Sequence, residues 1–143
     1  MVVTVTDRQS LVDDLIRDEG LRLKVYEDSL GIATIGVGRN LSGKGISHSE
    51  ALLLLEHDID EAIADLATFP WFPLLGTARQ HVLVNMRFNL GPVRFRIFKR
   101  MLTALAAGDY QKAAVSMRES KWYGQVKGRA VRLVRQMQTG EVA

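Results

Sequence analysis

The chain contains no cysteine. Disulfides, thiolate nucleophiles and thiolate metal sites are therefore excluded, and the fold has to rest on packing alone. Also missing is an unbroken apolar run of the roughly 18 residues needed to cross a bilayer, although 47% of the residues are hydrophobic. Those residues are dispersed among charges, which points to a soluble protein without stable membrane insertion. Met1 to Asp7 has neither the basic start nor the apolar core of a secretion signal, so export by the standard route is not expected. No internal repeat and no low-complexity stretch occurs. At 143 residues the chain is the size of one domain, or of two small lobes sharing a core.

What is present is unevenly charged. The net charge of +3 conceals an acidic half, residues 1–76, with 6 Lys and Arg against 13 Asp and Glu, and a basic remainder with 13 against 3. A basic face steers polyanions toward itself, and nucleic acid, anionic membrane and bacterial wall all qualify. Charge alone does not choose among them.

Thr6 and Gln9 have capping-box spacing, and Leu11, Val12, Leu15 and Ile16 recur at helical intervals, so a first helix is predicted from about Asp7 to Glu19. Gly20 supplies a left-handed stop. From Leu21 the period changes to two, with Leu21, Leu23 and Val25 on one face, as on a half-buried strand. Asp28-Ser29-Leu30-Gly31 is turn chemistry. A second strand is predicted from Ile32 to about Val37, and the Gly-rich stretch Arg39 to Gly45 has room for a short third. Ser47 and Glu50 make a second capping box, after which nothing breaks the chain until Pro70, room for a helix of five or six turns. Thr77 and Gln80 give a third box ahead of Val82, Leu83, Met86 and Leu90, and Gly91-Pro92 stops that helix. Phe95, Phe98, Met101, Leu102 and Leu105 form another stripe ending near Gly108. Asp109 caps a further helix through Ala113, Ala114 and Met117, and a last one carries Val131, Val134 and Met137 up to Gly140.

The pattern predicts an α+β fold. A small N-terminal lobe holds a β-hairpin or three-stranded sheet, and a long helix joins it to a mostly helical C-terminal lobe. All of 1–143 is taken as one domain, with lobes of approximately 1–60 and 61–143 and the first helix packing on the C-terminal lobe.

Asp18 and Glu19 occupy the last turn of the first helix, where the macrodipole disfavours acids. A broken local rule tends to mark a functional site, although helix ends often carry solvated acids. Asp28 reads equally well as a turn former, and Thr34 as an ordinary strand residue. Their arrangement carries more weight: a helix end, a strand and a turn set two carboxylates on facing edges of one hairpin, the pairing glycoside hydrolysis uses.

The segment from Asp18 to Gly38, DEGLRLKVYEDSLGIATIGVG, resembles the signature of the T4-type phage lysozymes or endolysins, glycoside hydrolase family 24. Further similarity lies in FNLG (Phe88 to Gly91), in AAV (Ala113 to Val115) and in SKWYGQVKGRA (Ser120 to Ala130). The resemblance implies a lysozyme-like fold, with Glu19 as general acid and Asp28 with Thr34 holding the attacking water. The bond cut would be the β-1,4 link from N-acetylmuramic acid to N-acetylglucosamine in peptidoglycan, with inversion. It further implies that Arg129 orients Glu19, that Phe88 lies on a cleft wall, and that Trp122 packs beneath that cleft. Asn40 and Ser116 occupy substrate-contact positions with residue types different from the family's. Arg39 stands where the family usually has His, which removes a His–carboxylate pair. The stretch after Gly91 is shorter than in the type member and the one before Asp109 longer.

No cofactor and no metal is expected: His48, His57 and His81 lack ligand spacing and accompany no G-x-S-x-G elbow. GRNLSGKG, Gly38 to Gly45, misses the phosphate-loop pattern because Gly45 stands where a hydroxyl should bind magnesium. Gly36 and Gly38 make no dinucleotide fingerprint, since Leu41 replaces the third Gly. The C-terminal cations, among them Arg94, Arg96, Lys99, Arg100, Arg132 and Arg135, read as a scattered solvated face and not as a nucleic-acid surface. The expectation is a monomeric muramidase for host lysis, held in the host cytoplasm and reaching the wall after release. A catalytically inactive peptidoglycan-binding module is the alternative.

Overall fold

The structure, a computed structural model, describes residues 5–142; the first residues of the stretch read for a leader lie outside them. The described residues form two compact units, the first ending at Leu52 and the second starting at Leu53. The architecture is α+β, as predicted.

In the first unit, helix α1 spans Arg8–Glu19. Its cap is Asp7 and not Thr6: the Asp7 carboxylate accepts from the Ser10 N–H at 3.2 Å, while the Gln9 amide turns to Asp13 instead. An Asp in the left-handed region, φ 53°, caps from one position closer than the expected box. Gly20 ends the helix with its N–H on the Ile16 carbonyl at 2.8 Å, but at φ 80°, ψ 161° it is extended with positive φ, not left-handed helical. That region is open to glycine alone, and it turns the chain straight into a strand.

Strands β1 (Arg22–Glu27), β2 (Ala33–Gly36) and β3 (Arg39–Asn40) form an antiparallel sheet in the order β1-β2-β3. Thr34 on the central strand faces Tyr26 on one side and Asn40 on the other. The expected buried face of β1 is not realised: Leu23 and Val25 are 84% and 62% exposed. Alternation sets which residues share a face, but among the described residues no second layer covers that one.

Helix α2, His48–Leu66, starts in the first unit and runs into the second. Its capping box is formed as read: the Glu50 N–H donates to Ser47 Oγ at 3.1 Å and the Ser47 N–H to Glu50 Oε1 at 2.9 Å. A 3-10 turn, Phe72–Leu74, leads to α3, Thr77–Phe95. The cap here is Gly76, with no side-chain bond, and the Gln80 amide reaches back to the Phe72 carbonyl at 3.2 Å, so the Thr77–Gln80 box does not form. Gly91 breaks α3 at φ 81°, ψ 170°, and Pro92 opens a last helical turn. Helices α4 (Lys99–Ala106), α5 (Tyr110–Arg118), α6 (Lys121–Val126) and α7 (Gly128–Thr139) complete the unit. Asp109 caps α5, and Gly140 closes α7 in the left-handed conformation.

The core lies in the second unit. Val82, Leu83, Met86 and Leu90 of α3 are buried as the spacing predicts, against Met101, Leu105, Met117 and Met137. Each such side chain contributes about 1.5–3 kcal/mol by leaving water. On α7 the buried stripe runs through Ala130, Leu133, Val134 and Met137, so Val134 and Met137 are buried as expected, whereas Val131 is 44% exposed and Ala130 takes its place. Arg79 closes the far end. Its guanidinium donates to the Met137 and Gln138 carbonyls at 2.8 and 3.1 Å and lies 3.9 Å over the Tyr110 ring. Among the described residues no helix is long and apolar enough to cross a membrane.

Candidate active site

Glu19 is exposed at the last position of α1. The turn from β2 to β3 reaches its carboxyl group: a Cβ built on Gly38 would lie 3.0 Å from Glu19 Oε2 and 3.5 Å from its Cδ. Gly38 also holds φ +65°, which other residues rarely adopt. A side chain here would push the carboxylate away, so this glycine sets how closely Glu19 approaches the hairpin.

Asp28 and Thr34 are brought together through Ile32. Asp28 Oδ1 accepts the Leu30 and Ile32 N–H groups at 2.8 and 2.9 Å, and its own N–H donates to the Ile32 carbonyl at 3.0 Å. Thr34 Oγ1 donates to the same carbonyl at 2.8 Å and is buried, 3% exposed. Turn chemistry therefore uses one carboxylate oxygen of Asp28; among the described residues no hydrogen bond or ion pair reaches Oδ2. With its hydroxyl proton committed to Ile32, Thr34 Oγ1 keeps its lone pairs as acceptors. A rigid carboxylate with a free oxygen and a fixed hydroxyl acceptor, each tied to the backbone of Ile32, are groups suited to orienting water.

Arg39 makes a carboxylate pair of its own. Nη1 and Nη2 meet Glu50 Oε1 and Oε2, each at 2.9 Å, and Nη1 also donates to the Gly45 carbonyl at 3.2 Å. The Arg39 hydrogen bond, then those from Ser47, hold the Glu50 carboxyl down at about 2. The glycine-rich loop is thus stapled to the start of α2. Asn40 spends its carbonyl oxygen on the Gly43 N–H at 2.8 Å, within the same loop.

In the second unit, Phe88 is 46% exposed, unlike its core neighbours on α3. It lines a pocket of about 450 Å³ with Leu55, Ile59, Asn85 and Arg129. Arg129 is fixed there by Asn85, its Nε donating to Oδ1 at 2.8 Å and Nη2 to the carbonyl at 3.3 Å. Ser116 and Trp122 line a different pocket, of about 540 Å³, whose walls include Arg94, Ile97, Phe98 and Lys121. Trp122 is buried, its indole N–H on Asn89 Oδ1 at 3.1 Å and its ring edge-on to Phe98.

The sequence reading missed a charged cluster. Asp65 Oδ2 accepts Arg87 Nε at 2.6 Å and Arg96 Nη1 at 2.9 Å, and Oδ1 accepts Arg96 Nη2 at 2.7 Å. The Arg96 bonds, outweighing desolvation, hold the Asp65 carboxyl at about 2. One signal was available: Arg87 sits at an apolar-stripe position, between Leu83 and Leu90, where a charge needs a buried partner.

A family model described as phage lysozyme matches residues 17–138. The chain belongs to the phage lysozyme family. Members are glycoside hydrolases, and the two acids at the α1 end and the hairpin fit that chemistry. Among its relatives, the pre-baseplate central spike protein Gp5 of Enterobacteria phage T4 is 36% identical over 93% of this chain, which spans only 28% of the spike's length. An endolysin of Salmonella phage P22 is 35% identical, covering 70% of this chain and 73% of its own. A probable T4-type lysozyme of Dictyostelium discoideum is 27% identical, with 92% and 95% covered.

Proposed function

We propose that this phage lysozyme hydrolyses the β-1,4 bond between N-acetylmuramic acid and N-acetylglucosamine in peptidoglycan, with inversion. The reading is supported by the Asp28–Ile32–Thr34 arrangement, which ties a carboxylate with one open oxygen and a hydroxyl acceptor to the same residue, in the unit that also holds Glu19. Water held by Asp28 and Thr34 attacks the anomeric carbon and gives a proton to the Asp28 carboxylate. The bond to the leaving oxygen breaks as Glu19 donates its proton there, so the product is the hydrolysed glycan with the opposite anomeric configuration. Phe88, Ser116 and Asn40 contact the glycan, and the basic C-terminal half draws the anionic wall toward the enzyme. Endolysin relatives support host lysis from the cytoplasmic side as the setting.

The test is turnover of purified peptidoglycan by Glu19→Gln and Asp28→Asn. Each is expected to remove nearly all cleavage while binding to wall sacculi and the melting temperature persist. Proton NMR of the first product is expected to show the inverted anomer. Full activity in E19Q rejects the assigned acid, and a retained anomer rejects the water-holding role of Asp28. Binding without turnover in the unaltered chain would move it to the binding-module reading.

A further inference from the structure

The carboxylate of Asp65 holds two guanidiniums, and a second acid, Glu61, stays 3.9 Å from Arg87. Partly buried ion pairs add little net stability but penalise every arrangement that separates them. What matters, then, is which segment they fix. Arg87 is rooted in α3 and only 9% exposed at its side chain. Arg96 lies just past the Gly91 break, in the short link before α4, and is gripped from three directions. Both its terminal nitrogens meet Asp65, Nη1 also donates to the Pro92 carbonyl at 3.1 Å, and the guanidinium lies 5.2 Å from the Phe69 ring centroid. The same guanidinium thus ties the start and the end of the Pro92–Arg96 turn to α2. Arg94, Ile97 and Phe98, on either side of Arg96, are a wall of the pocket that also contains Ser116 and Trp122.

We propose that Asp65 is a positioning residue for substrate: through Arg96, with Arg87 as its fixed anchor on α3, it sets the Arg94–Phe98 wall against the Ser116 and Trp122 side of the pocket. This rests on the reading that the pocket takes peptidoglycan. Without Asp65 the link is free to shift about the Gly91 break, and the pocket loses its shape without any change to the groups that break the bond. The signature is a rise in KM with kcat held, which a purely structural loss does not produce below the melting temperature.

The experiment is steady-state hydrolysis of soluble peptidoglycan fragments, well below each variant's melting temperature. Asp65→Asn is expected to raise KM by roughly tenfold and leave kcat within about twofold. Arg96→Gln should reproduce the KM effect, and the double variant should be no worse than the single ones, because both act through one link. Arg96→Gln removes a more exposed partner and keeps the question open should D65N fold poorly. Ser116→Trp, which fills the pocket, tests the underlying reading separately. A raised KM in S116W with unchanged KM in D65N and R96Q overturns the positioning role alone. Unchanged KM in S116W overturns both, since Asp65 would have no substrate pocket to shape.

Discussion

Gly38 shows how one missing side chain leaves room for the proposed acid, Glu19. A methyl group at its Cβ position would meet Glu19 Oε2 at 3.0 Å, and its φ of +65° strains any other residue. Gly38→Ala is therefore expected to displace the Glu19 carboxylate and lower kcat by roughly tenfold or more, since small misplacements of a catalytic group are costly. Wild-type kcat in that variant would contradict the contact. The turn and strand that carry Asp28 and Thr34 were legible in the sequence because turn chemistry and strand register act over a few residues, whereas the pairing of the two was implied only by the family resemblance. Asp65 was not, since Arg87 and Arg96 lie 22 and 31 residues away along the chain. Arg39 was legible only as a departure from the family pattern; that it finds Glu50, 11 residues on, depends on how the loop folds back.

Among the elements, the three capping boxes separate what four residues decide from what their surroundings decide. Ser47 and Glu50 form theirs even though Arg39 also donates to Glu50, because a carboxylate oxygen accepts the guanidinium and the Ser47 N–H together. Thr77 and Gln80 have the same spacing, yet the 3-10 turn before them delivers Gly76 to the cap and offers the Phe72 carbonyl to Gln80. Thr6 yields to Asp7 by a shift of one residue. Gly91 was read as a stop, and the backbone breaks there, but Pro92, well suited to a first helical turn, restarts the helix. At φ 81°, ψ 170°, Gly91→Ala should cost about 1–3 kcal/mol, read from the urea midpoint. A variant as stable as the parent would mean that the break relaxes freely.

Across the molecule, the described residues include one strongly depressed carboxyl group in each unit: Glu50, held by Arg39, in the first and Asp65, held by Arg96 and Arg87, in the second. Both have folded values of about 2 against ordinary values of 4.5 and 3.8. A depressed folded value means that the stabilisation is fully present above the ordinary range and is lost as pH falls from there toward 2. Melting temperatures measured across that window should fall, and E50Q with D65N should lessen the fall. An equally steep profile in the double variant would assign acid sensitivity to other groups.

The Arg79 guanidinium on the last carbonyls of α7, stacked over Tyr110, has a practical meaning for anyone fusing cargo to this domain. A helix whose final acceptors are already occupied gains nothing by extending, so Gly140 hands the polypeptide outward at a closed boundary. An affinity handle or a second module joined beyond Val142 would inherit a sealed edge, and mechanical pull on it would meet a latch before it reached the methionines inside.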